Sequence, residues 1–280
     1  MAKIKLVTDS SIQLTPEEVA QYDIRVVPLT IMIDSTVYID GETITRTEFM
    51  EKMAEAKALP KTSQPAPGTF LDVFNELSAD GSQVLCVNML QAISGTVNSA
   101  RQAAEMSDGD VTVVDCDFTD RAMAFQVIEA AKAIEAGADM DGVLKRMATV
   151  RDHTILQMGV STLDNLVKGG RLSKAAGVVG SLLNIKVVLQ VADGELKVMQ
   201  KGRGVKTLHR FVDSFVEKLQ GLENLKEVGI SFAGGEAYAQ EIGNKIKAVL
   251  PNLPVLVRPT DPVIATHTGD GAFAIMCYTD

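Results

Sequence analysis

QVLCVNMLQAISGTVNSARQAAEMSDGDVTVVD, residues 83–115, contains two short apolar runs separated by a helical pattern. The runs at residues 83–88 and 111–115 are typical of buried strands, whereas residues 94–106 have the length and spacing of a helix. A strand, a helix and a second strand within about 30 residues form a βαβ unit, whose strands pair in parallel. This stretch predicts a parallel sheet that is covered by helices.

The same alternation extends toward the N-terminus. Strand patterns occur at residues 4–7, 26–33 and 36–39, and capping boxes that begin at Thr15 and Thr45 each predict a helix start. The segment TSQPAPGTF, residues 62–70, ends where apolar residues begin to recur at helical spacing, so a helix should begin near Gly68. Further helices are predicted over residues 119–135 and 140–151. The first half therefore predicts a mostly parallel sheet with helices on both faces.

The pattern changes after about residue 152. A strand is predicted at residues 154–160, and Asp193-Gly194 between two apolar runs predicts a hairpin. Helices are predicted at residues 205–219 and 236–249, and strands at residues 227–232, 255–258, 263–266 and 272–278. Hairpins with flanking helices predict a second α/β domain with a mixed or antiparallel sheet. We therefore predict an α/β protein with two domains, residues 1–152 and 153–280, and a soft boundary because no linker separates them.

Composition excludes several classes of protein. The chain has 280 residues and a net charge of −9, which argues against nucleic acid or an anionic membrane as the main partner. Its three cysteines match neither a zinc pattern nor a disulfide framework, and the first residues lack the features of a secretory signal. The longest apolar stretch, residues 175–191, is interrupted by polar residues and falls short of a membrane span. We expect a cytoplasmic protein.

Two segments place hydroxyls at a predicted helix start. Thr62 and Ser63 precede one helix, and Ser94, Gly95 and Thr96 open another after a strand. Small residues allow backbone amides to approach a ligand, and the helix dipole favours negative charge there. Each segment is equally consistent with ordinary helix capping. The segments predict an anion site only if other groups join them.

Two later segments carry candidate partners for an anion. Arg171 follows Gly169-Gly170, where its guanidinium could pair with a carboxylate or phosphate or simply be solvated. Thr266 and His267 lie among hydroxyls and glycines after an apolar run near the C-terminus, a placement typical of ligand contacts. His267 is the strongest candidate among the three histidines.

An alternative chemistry arises at Asp115 and Asp117, which follow an apolar strand as D-x-D-x-T. That pattern is similar to the nucleophile motif of haloacid-dehalogenase-type phosphatases, in which one aspartate attacks phosphorus. Those enzymes also need a later acidic pair for Mg²⁺, and Asp270 has no second aspartate in the next turn. Strand-end aspartates that cap a helix explain the same pattern. We expect no metal site, no cofactor and no catalytic residue.

Taken together, the motifs resemble the DegV family of bacterial fatty-acid-binding proteins. The matching segments run in order along the whole chain: Thr8-Asp9-Ser10-Ser11, Val27-Pro28-Leu29, Thr62-Ser63-Gln64-Pro65-Ala66-Pro67-Gly68, Ser94-Gly95-Thr96, Asn98-Ser99-Ala100, Leu166-Val167-Lys168-Gly169-Gly170-Arg171-Leu172-Ser173, His267-Thr268-Gly269 and Gly271-Ala272-Phe273. Each motif alone is weak, but the ordered set is specific.

The resemblance implies a Rossmann-like N-terminal domain, a second α/β domain and a long-chain fatty acid bound near the cleft between them. It further implies a carrier, not an enzyme, whose bound acid is phosphorylated by a fatty-acid kinase for phospholipid synthesis. The implied carboxylate site consists of Thr62, Ser63, Ser94, Gly95, Arg171, Thr266 and His267. At about 0.8 kcal/mol per methylene, a tail of about 14 methylenes contributes roughly 11 kcal/mol before the cost of ordering.

The chain departs from the family pattern at two places. Residues 121–125 lack the small residues usual there, so tunnel shape and acyl preference are in doubt, and Val97 replaces a common tyrosine. Lys201, Arg203 and Lys206 form a basic cluster that fits either a partner-docking surface or a solvated helix start. We expect a monomer with transient contacts to a kinase, an acyltransferase or a membrane. A lipid-sensing regulatory protein remains an alternative, because it needs no kinase.

Overall fold

A computed structural model describes residues 3–171 and 185–280 of the chain. These residues form ten helices and thirteen strands. The helices are α1 (Pro16–Gln21), α2 (Arg46–Glu55), α3 (Pro67–Ser78), α4 (Thr96–Met106), α5 (Asp120–Glu135), α6 (Met140–Asp152), α7 (Asp164–Lys168), α8 (Lys206–Gln220), α9 (Glu236–Val249) and α10 (Pro262–Thr268). The strands are β1 (Ile4–Asp9), β2 (Arg25–Val27), β3 (Thr30–Ile33), β4 (Thr36–Ile39), β5 (Lys61–Ser63), β6 (Gln83–Asn88), β7 (Val111–Asp115), β8 (Thr154–Val160), β9 (Ile185–Ala192), β10 (Glu195–Arg203), β11 (Leu225–Ala233), β12 (Val255–Pro259) and β13 (Ala272–Thr279).

The N-terminal half contains the predicted parallel sheet, in the order β2-β1-β6-β7. All three of its pairings are parallel, and β6 and β7 are the strands of the βαβ unit predicted from residues 83–115. Both predicted capping boxes are present. The hydroxyls of Thr15 and Thr45 accept from the backbone amides of Glu18 and Glu48, and the carboxylates of these glutamates accept from the backbone amides of the threonines. The predicted α/β class is confirmed by this sheet.

The second half forms a mixed sheet in the order β10-β9-β8-β13-β11-β12. Its pairings are antiparallel except for β11 with β12. The predicted hairpin joins β9 to β10, and Asp193 and Gly194 both have positive φ, as a tight hairpin turn requires. The mixed sheet predicted for this half is therefore confirmed.

Three predicted elements differ from the structure. The strand expected over residues 26–33 is split into β2 and β3, because Pro28 lies between them and has no amide to donate. Residues 61–63, for which no strand is predicted, form β5 and pair with β3 in a small antiparallel sheet, β4-β3-β5. The strand predicted at residues 263–266 is wrong, since α10 covers them. Asp261 caps that helix by accepting from two amides, and Pro262 occupies its first turn.

One large apolar core contains buried residues from both halves of the chain. The four-stranded sheet lies wholly before residue 116 and the six-stranded sheet wholly after residue 153. The division into two domains near residue 152 stays a prediction. Leu172 and Ser173 of the family motif lie outside the described residues. None of the described helices is both long and apolar enough to cross a membrane.

Arg121 joins the two halves as a buried ion-pair centre. Its guanidinium contacts the carboxylates of Glu18 at 2.7 Å and of Glu227 at 2.6 Å, although only 3% of its side chain is exposed. Gly229 on β11 makes room for it, since a Cβ there would lie 2.4 Å from Arg121 Cγ. None of residues 121–125 lines the cavity described below. Within the described chain, Arg121 therefore contacts residues of both halves, and residues 121–125 do not border that cavity.

Candidate ligand-binding site

A cavity of about 380 Å³ lies between the two halves of the chain. This size is typical of small-molecule sites, which have volumes of about 300 to 1,000 Å³. Most of its wall is apolar. Its polar residues come from β5 and the residue after it, the starts of α4 and α5, the end of α7 and one face of α10. The described residues that line it are Leu29, Thr62, Ser63, Gln64, Met89, Ile93, Ser94, Gly95, Thr119, Met158, Leu166, Arg171, Val191, Leu196, Val263, Ile264, His267 and Thr268.

Thr62 and His267 meet at the polar end of the cavity. The distance between Thr62 Oγ1 and His267 Nε2 is 3.0 Å, although 205 positions separate the two residues in sequence. Burial, assisted by the positive charge of Arg171, lowers the pKa of His267 to about 4. The imidazole is therefore neutral at pH 7. Its Nδ1 atom is buried and has no hydrogen-bond partner within the described structure.

Arg171 enters the site from the end of α7. The helix ends in a Schellman motif, in which the amide of Arg171 donates to the carbonyl of Leu166 and that of Gly170 to Val167. Gly170 has φ of +71°, which this motif requires. The guanidinium donates to the carbonyls of Ile93 and Gly169 at 3.2 and 2.7 Å. Burial lowers the pKa of Arg171, so a bound anion would regain part of the lost solvation energy.

Helix α4 points its N-terminus at the cavity. Gly95 is its N-cap and no side chain accepts from the first amides as a cap, although Ser94 Oγ accepts from the amide of Thr96 at 3.3 Å. A Cβ at Gly95 would lie 2.1 Å from Oε1 of Gln64, so glycine lets that side chain reach the helix start. Amides at a helix start favour negative charge. This arrangement can bind a small anion such as a carboxylate.

The cavity brings together six of the seven predicted site residues. Thr62, Ser63, Ser94, Gly95, Arg171 and His267 all line it. Thr266 does not, because its hydroxyl donates to the carbonyl of Pro262 inside α10, and the neighbouring Thr268 lines the wall instead. The period of α10 explains this, since Ile264, His267 and Thr268 share one face of the helix and Thr266 lies off that face. These roles in ligand binding stay predictions.

The other candidate residues from the sequence do not line the cavity. Asp115 accepts from the amides of Gln91 and Asp117, and neither aspartate lines the cavity. Lys201, Arg203 and Lys206 are exposed on β10 and α8, away from the cavity wall. In the described residues, no group of three or more acidic, histidine or cysteine side chains could hold a metal ion.

Sequence reasoning missed several wall residues. Gln64 was visible only as part of a motif, and Thr119 only as the position before a predicted helix. Met89 directly follows β6 and Met158 lies within β8, and in the sequence both look like ordinary core residues. A second, smaller void of about 30 Å³ shares four wall residues with the cavity, namely Thr119, Met158, Ile264 and Thr268.

Comparison with known proteins gives one consistent result. A family model described as "uncharacterised protein, DegV family" matches residues 3–280. A DegV domain-containing protein of Streptococcus pneumoniae is 48% identical over 276 residues, which cover 99% of this chain and 98% of that protein. A structure described as showing fatty acid binding of a DegV family protein from Thermus thermophilus has 32% identity and a TM-score of 0.88, covering 99% of this chain and 100% of that chain. DegV from Bacillus subtilis, described as a fatty acid binding protein, has 26% identity and a TM-score of 0.93, with 100% of both chains covered. This chain belongs to the DegV family.

Proposed function

We propose that this protein binds one long-chain fatty acid in the cavity, with the carboxylate at the polar end. Thr62, Ser63 and Ser94 supply hydroxyl donors, the start of α4 supplies amides, and Arg171 and His267 border the same end. The fatty-acid-binding descriptions of the relatives from Thermus thermophilus and Bacillus subtilis support this assignment.

One observation carries the proposal, namely an apolar cavity with hydrogen-bond donors concentrated at one end. A buried carboxylate without hydrogen bonds is very costly, so a site for a fatty acid needs such donors. Among the described lining residues, the hydroxyls and a neutral His267 supply uncharged hydrogen-bonding groups, and Arg171 alone supplies a positive charge. An oxygen of the bound carboxylate therefore stays available for reaction with a partner protein.

The tail has an apolar path leading away from the donors. The apolar residues of the cavity wall include Leu29, Met158, Val191, Leu196 and Ile264. Each methylene buried there contributes about 0.8 kcal/mol. The affinity of the site would come mainly from the tail, whereas the polar end orients the acid.

We further propose that the protein is a cytoplasmic, monomeric carrier and that any chemistry belongs to a partner. In this role a fatty-acid kinase phosphorylates the bound carboxylate, and the acyl phosphate passes to phospholipid synthesis through transient contact with an acyltransferase or a membrane. Lys201, Arg203 and Lys206, exposed on a protein of net charge −9, form the partner-docking surface.

Neither alternative gains support from the geometry. A phosphatase at Asp115 would need its carboxylate free in a cavity, but both oxygens accept backbone amides. Loss of metal-dependent phosphatase activity in Asp115→Asn would restore that hypothesis. A lipid-sensing protein would bind the acid without supporting its phosphorylation, so a kinase assay separates it from a carrier.

The decisive experiment is native mass spectrometry of the purified protein, followed by lipid extraction. We expect about one fatty acid per chain and displacement by an added fatty acid. The double variant Thr62→Val and Ser94→Ala should lose the acid, whereas Thr43→Val, on an exposed turn, should retain it. A wild-type protein that neither carries nor takes up a fatty acid would overturn the proposal.

A further inference from the structure

Asn165 links the two helices that carry Arg171 and His267. Its Nδ2 atom donates to the carbonyl of Thr266 at 2.8 Å, the residue before His267. α10 ends at Thr268, so this carbonyl is one of the last four of the helix and has no partner within it. Asn165 supplies that partner from α7, and its side chain thereby ties the end of α10 to the start of the turn that leads to Arg171.

Two glycines allow α7 and α10 to lie close together at this point. A Cβ at Gly269 would lie 3.0 Å from Asn165 Cγ, so Asn165 fills the space that this glycine leaves. A Cβ at Gly169 would lie 2.4 Å from Nδ1 of His267 and 2.9 Å from the carbonyl oxygen of Asn165. The end of α7 therefore rests directly on the imidazole ring.

The same backbone also holds the guanidinium. The carbonyl of Gly169 accepts from Arg171 Nη1 at 2.7 Å, and the amide of Gly169 donates to the carbonyl of Asn165 at 2.8 Å. Gly169 is thus in contact with His267 on one side and with Arg171 on the other. A shift of α7 relative to α10 would change the spacing of both side chains at once.

We propose that Asn165 is a positioning residue that, together with Gly169, fixes the spacing between Arg171 and His267 for carboxylate recognition. The inference rests on the proposed binding of a fatty acid. Asn165 does not line the cavity and acts through the two residues that do. Its loss should therefore impair recognition of the charged head group and leave recognition of the tail intact.

The test compares a long-chain fatty acid with the fatty alcohol of equal length, which has the same tail and no carboxylate. Asn165→Leu keeps the number and branching of the side-chain heavy atoms but removes the amide donor, and we expect it to weaken acid binding by about tenfold while alcohol binding stays within about twofold. Asn244→Leu, on the exposed face of α9, is the matched control.

Gly169→Ala tests the contact between α7 and α10 independently of the Asn165 side chain. Its φ of −77° is compatible with alanine, and the added methyl would displace the two atoms that it meets, His267 Nδ1 and the carbonyl oxygen of Asn165. Gly221→Ala is the control, because Gly221 is likewise a helix C-cap, with φ of −90° and only an ordinary contact at 3.6 Å. Both site variants should move the imidazole NMR resonance of His267, identified among the three histidines by His267→Asn.

The outcomes distinguish the positioning role of Asn165 from the proposed binding of a fatty acid. Equal loss of acid and alcohol binding in Asn165→Leu and Gly169→Ala would indicate general damage and overturn the positioning role. Unchanged acid binding would overturn it as well. A wild-type protein that binds neither compound would instead overturn the proposed function, and the positioning role with it.

Discussion

The polar end of the cavity has two walls of different construction. The strand wall consists of β5, the loop that follows it and the start of α4, and the helical wall consists of α7 with Arg171 and of α10. In the strand wall, β5 is paired with β3, and Ser99 on α4 donates to the carbonyl of Pro65 at 2.5 Å. The helical wall is made of helices of five and seven residues. Helices of that length are unstable in isolation, so tertiary contacts must hold them in place.

This difference predicts two kinds of response to mutation. In the strand wall the backbone is held by pairing, so the loss of a ligand-facing hydroxyl should reduce affinity and leave folding intact. In the helical wall the ligand-facing residues are also packing partners, as the contact of Gly169 with His267 illustrates. Substitutions there should change affinity and stability together.

The largest expected effect concerns Ser94 in the strand wall. Ser94→Ala removes a hydroxyl that lies 2.8 Å from Thr96 Oγ1 and lines the proposed carboxylate site. A hydrogen bond to a charged group contributes about 1.5 to 3 kcal/mol, so the Kd for a fatty acid should rise by about 10- to 100-fold. Isothermal titration calorimetry measures this, with Ser214→Ala on α8, which is exposed, as the control. An unchanged Kd would remove Ser94 from the site.

The next effect tests the helical wall through pH. The folded-state pKa of His267 is about 4, below its unfolded value of about 6.5, so the unfolded chain binds more protons between these values. Its contribution to stability is therefore complete above pH 6.5 and is lost as the pH falls toward 4. The unfolding free energy of the wild type relative to that of His267→Asn should rise by up to about 3 kcal/mol from pH 4 to 6.5.

Urea unfolding across that pH range provides the measurement. His267→Gln serves as a second replacement, since both variants remove the titrating ring and should give the same pH dependence. Wild-type and variant stabilities that change in parallel with pH would contradict the burial of a neutral imidazole.

A third effect concerns the start of α10. Oδ1 of Asp261 accepts from the amides of Val263 and Ile264 at 2.8 and 3.0 Å, so Asp261→Ala should cost about 1 to 2 kcal/mol and weaken fatty-acid binding through His267. Asp139→Ala removes a similar cap from α6 and should lower stability without changing binding. Equal binding in both variants would show that α10 keeps its place without its cap.

Asp261→Asn separates capping from charge. Burial, with Asp40 as a second cause, raises the pKa of Asp261 well above its ordinary value. A raised carboxyl pKa means that stability falls as the pH rises from about 4 through the folded-state value. The asparagine keeps the accepting oxygen and cannot ionise, so at pH 7 it should be at least as stable as wild type. A loss as large as that of Asp261→Ala would contradict this.

The two walls also differ in how far the sequence predicts them. The hydroxyls of the strand wall lie next to elements with clear local periodicity. That periodicity predicts the helix starts at which Thr62, Ser63 and Ser94 are candidate site residues. The pairing of β5 with β3 was missed, because a three-residue strand has no period of its own. Apolar Val263 and Ile264 resembled a strand, although Asp261-Pro262 is a typical helix start.

Residues that act through contacts distant in sequence could not be predicted at all. Asn165 meets the carbonyl of Thr266 across 101 positions, and nothing near Asn165 in the sequence indicates this bond. The same holds for Gly229, whose missing side chain accommodates Arg121. Family resemblance compensates in part, because an ordered set of motifs reflects the fold as a whole. It selects residues that recur, and it does not show which contacts hold them.

The smallest effect concerns a small void that shares wall residues with the cavity. The void of about 30 Å³ is bordered by Ala274, and its polar wall residues use their hydroxyl protons internally. Ser231 and Thr260 both donate to Asp120 at 2.6 Å, and Thr268 donates to the carbonyl of Ile264. A water there would find few partners, so the void suits the hydrocarbon end of a tail.

Ala274→Val should fill part of this void. If the longest bound acids reach it, each displaced methylene costs about 0.8 kcal/mol, and their Kd rises about fourfold while that of shorter acids stays constant. Affinities measured over a series of chain lengths test this, with Ala237→Val on α9, which is exposed, as the control. The same fractional loss for every length would mean that the valine disturbs the six-stranded sheet, and the tail would then end within the larger cavity. Because Ile264 and Thr268 line both spaces, a selective loss would extend the role of α10 from the carboxylate to the end of the tail.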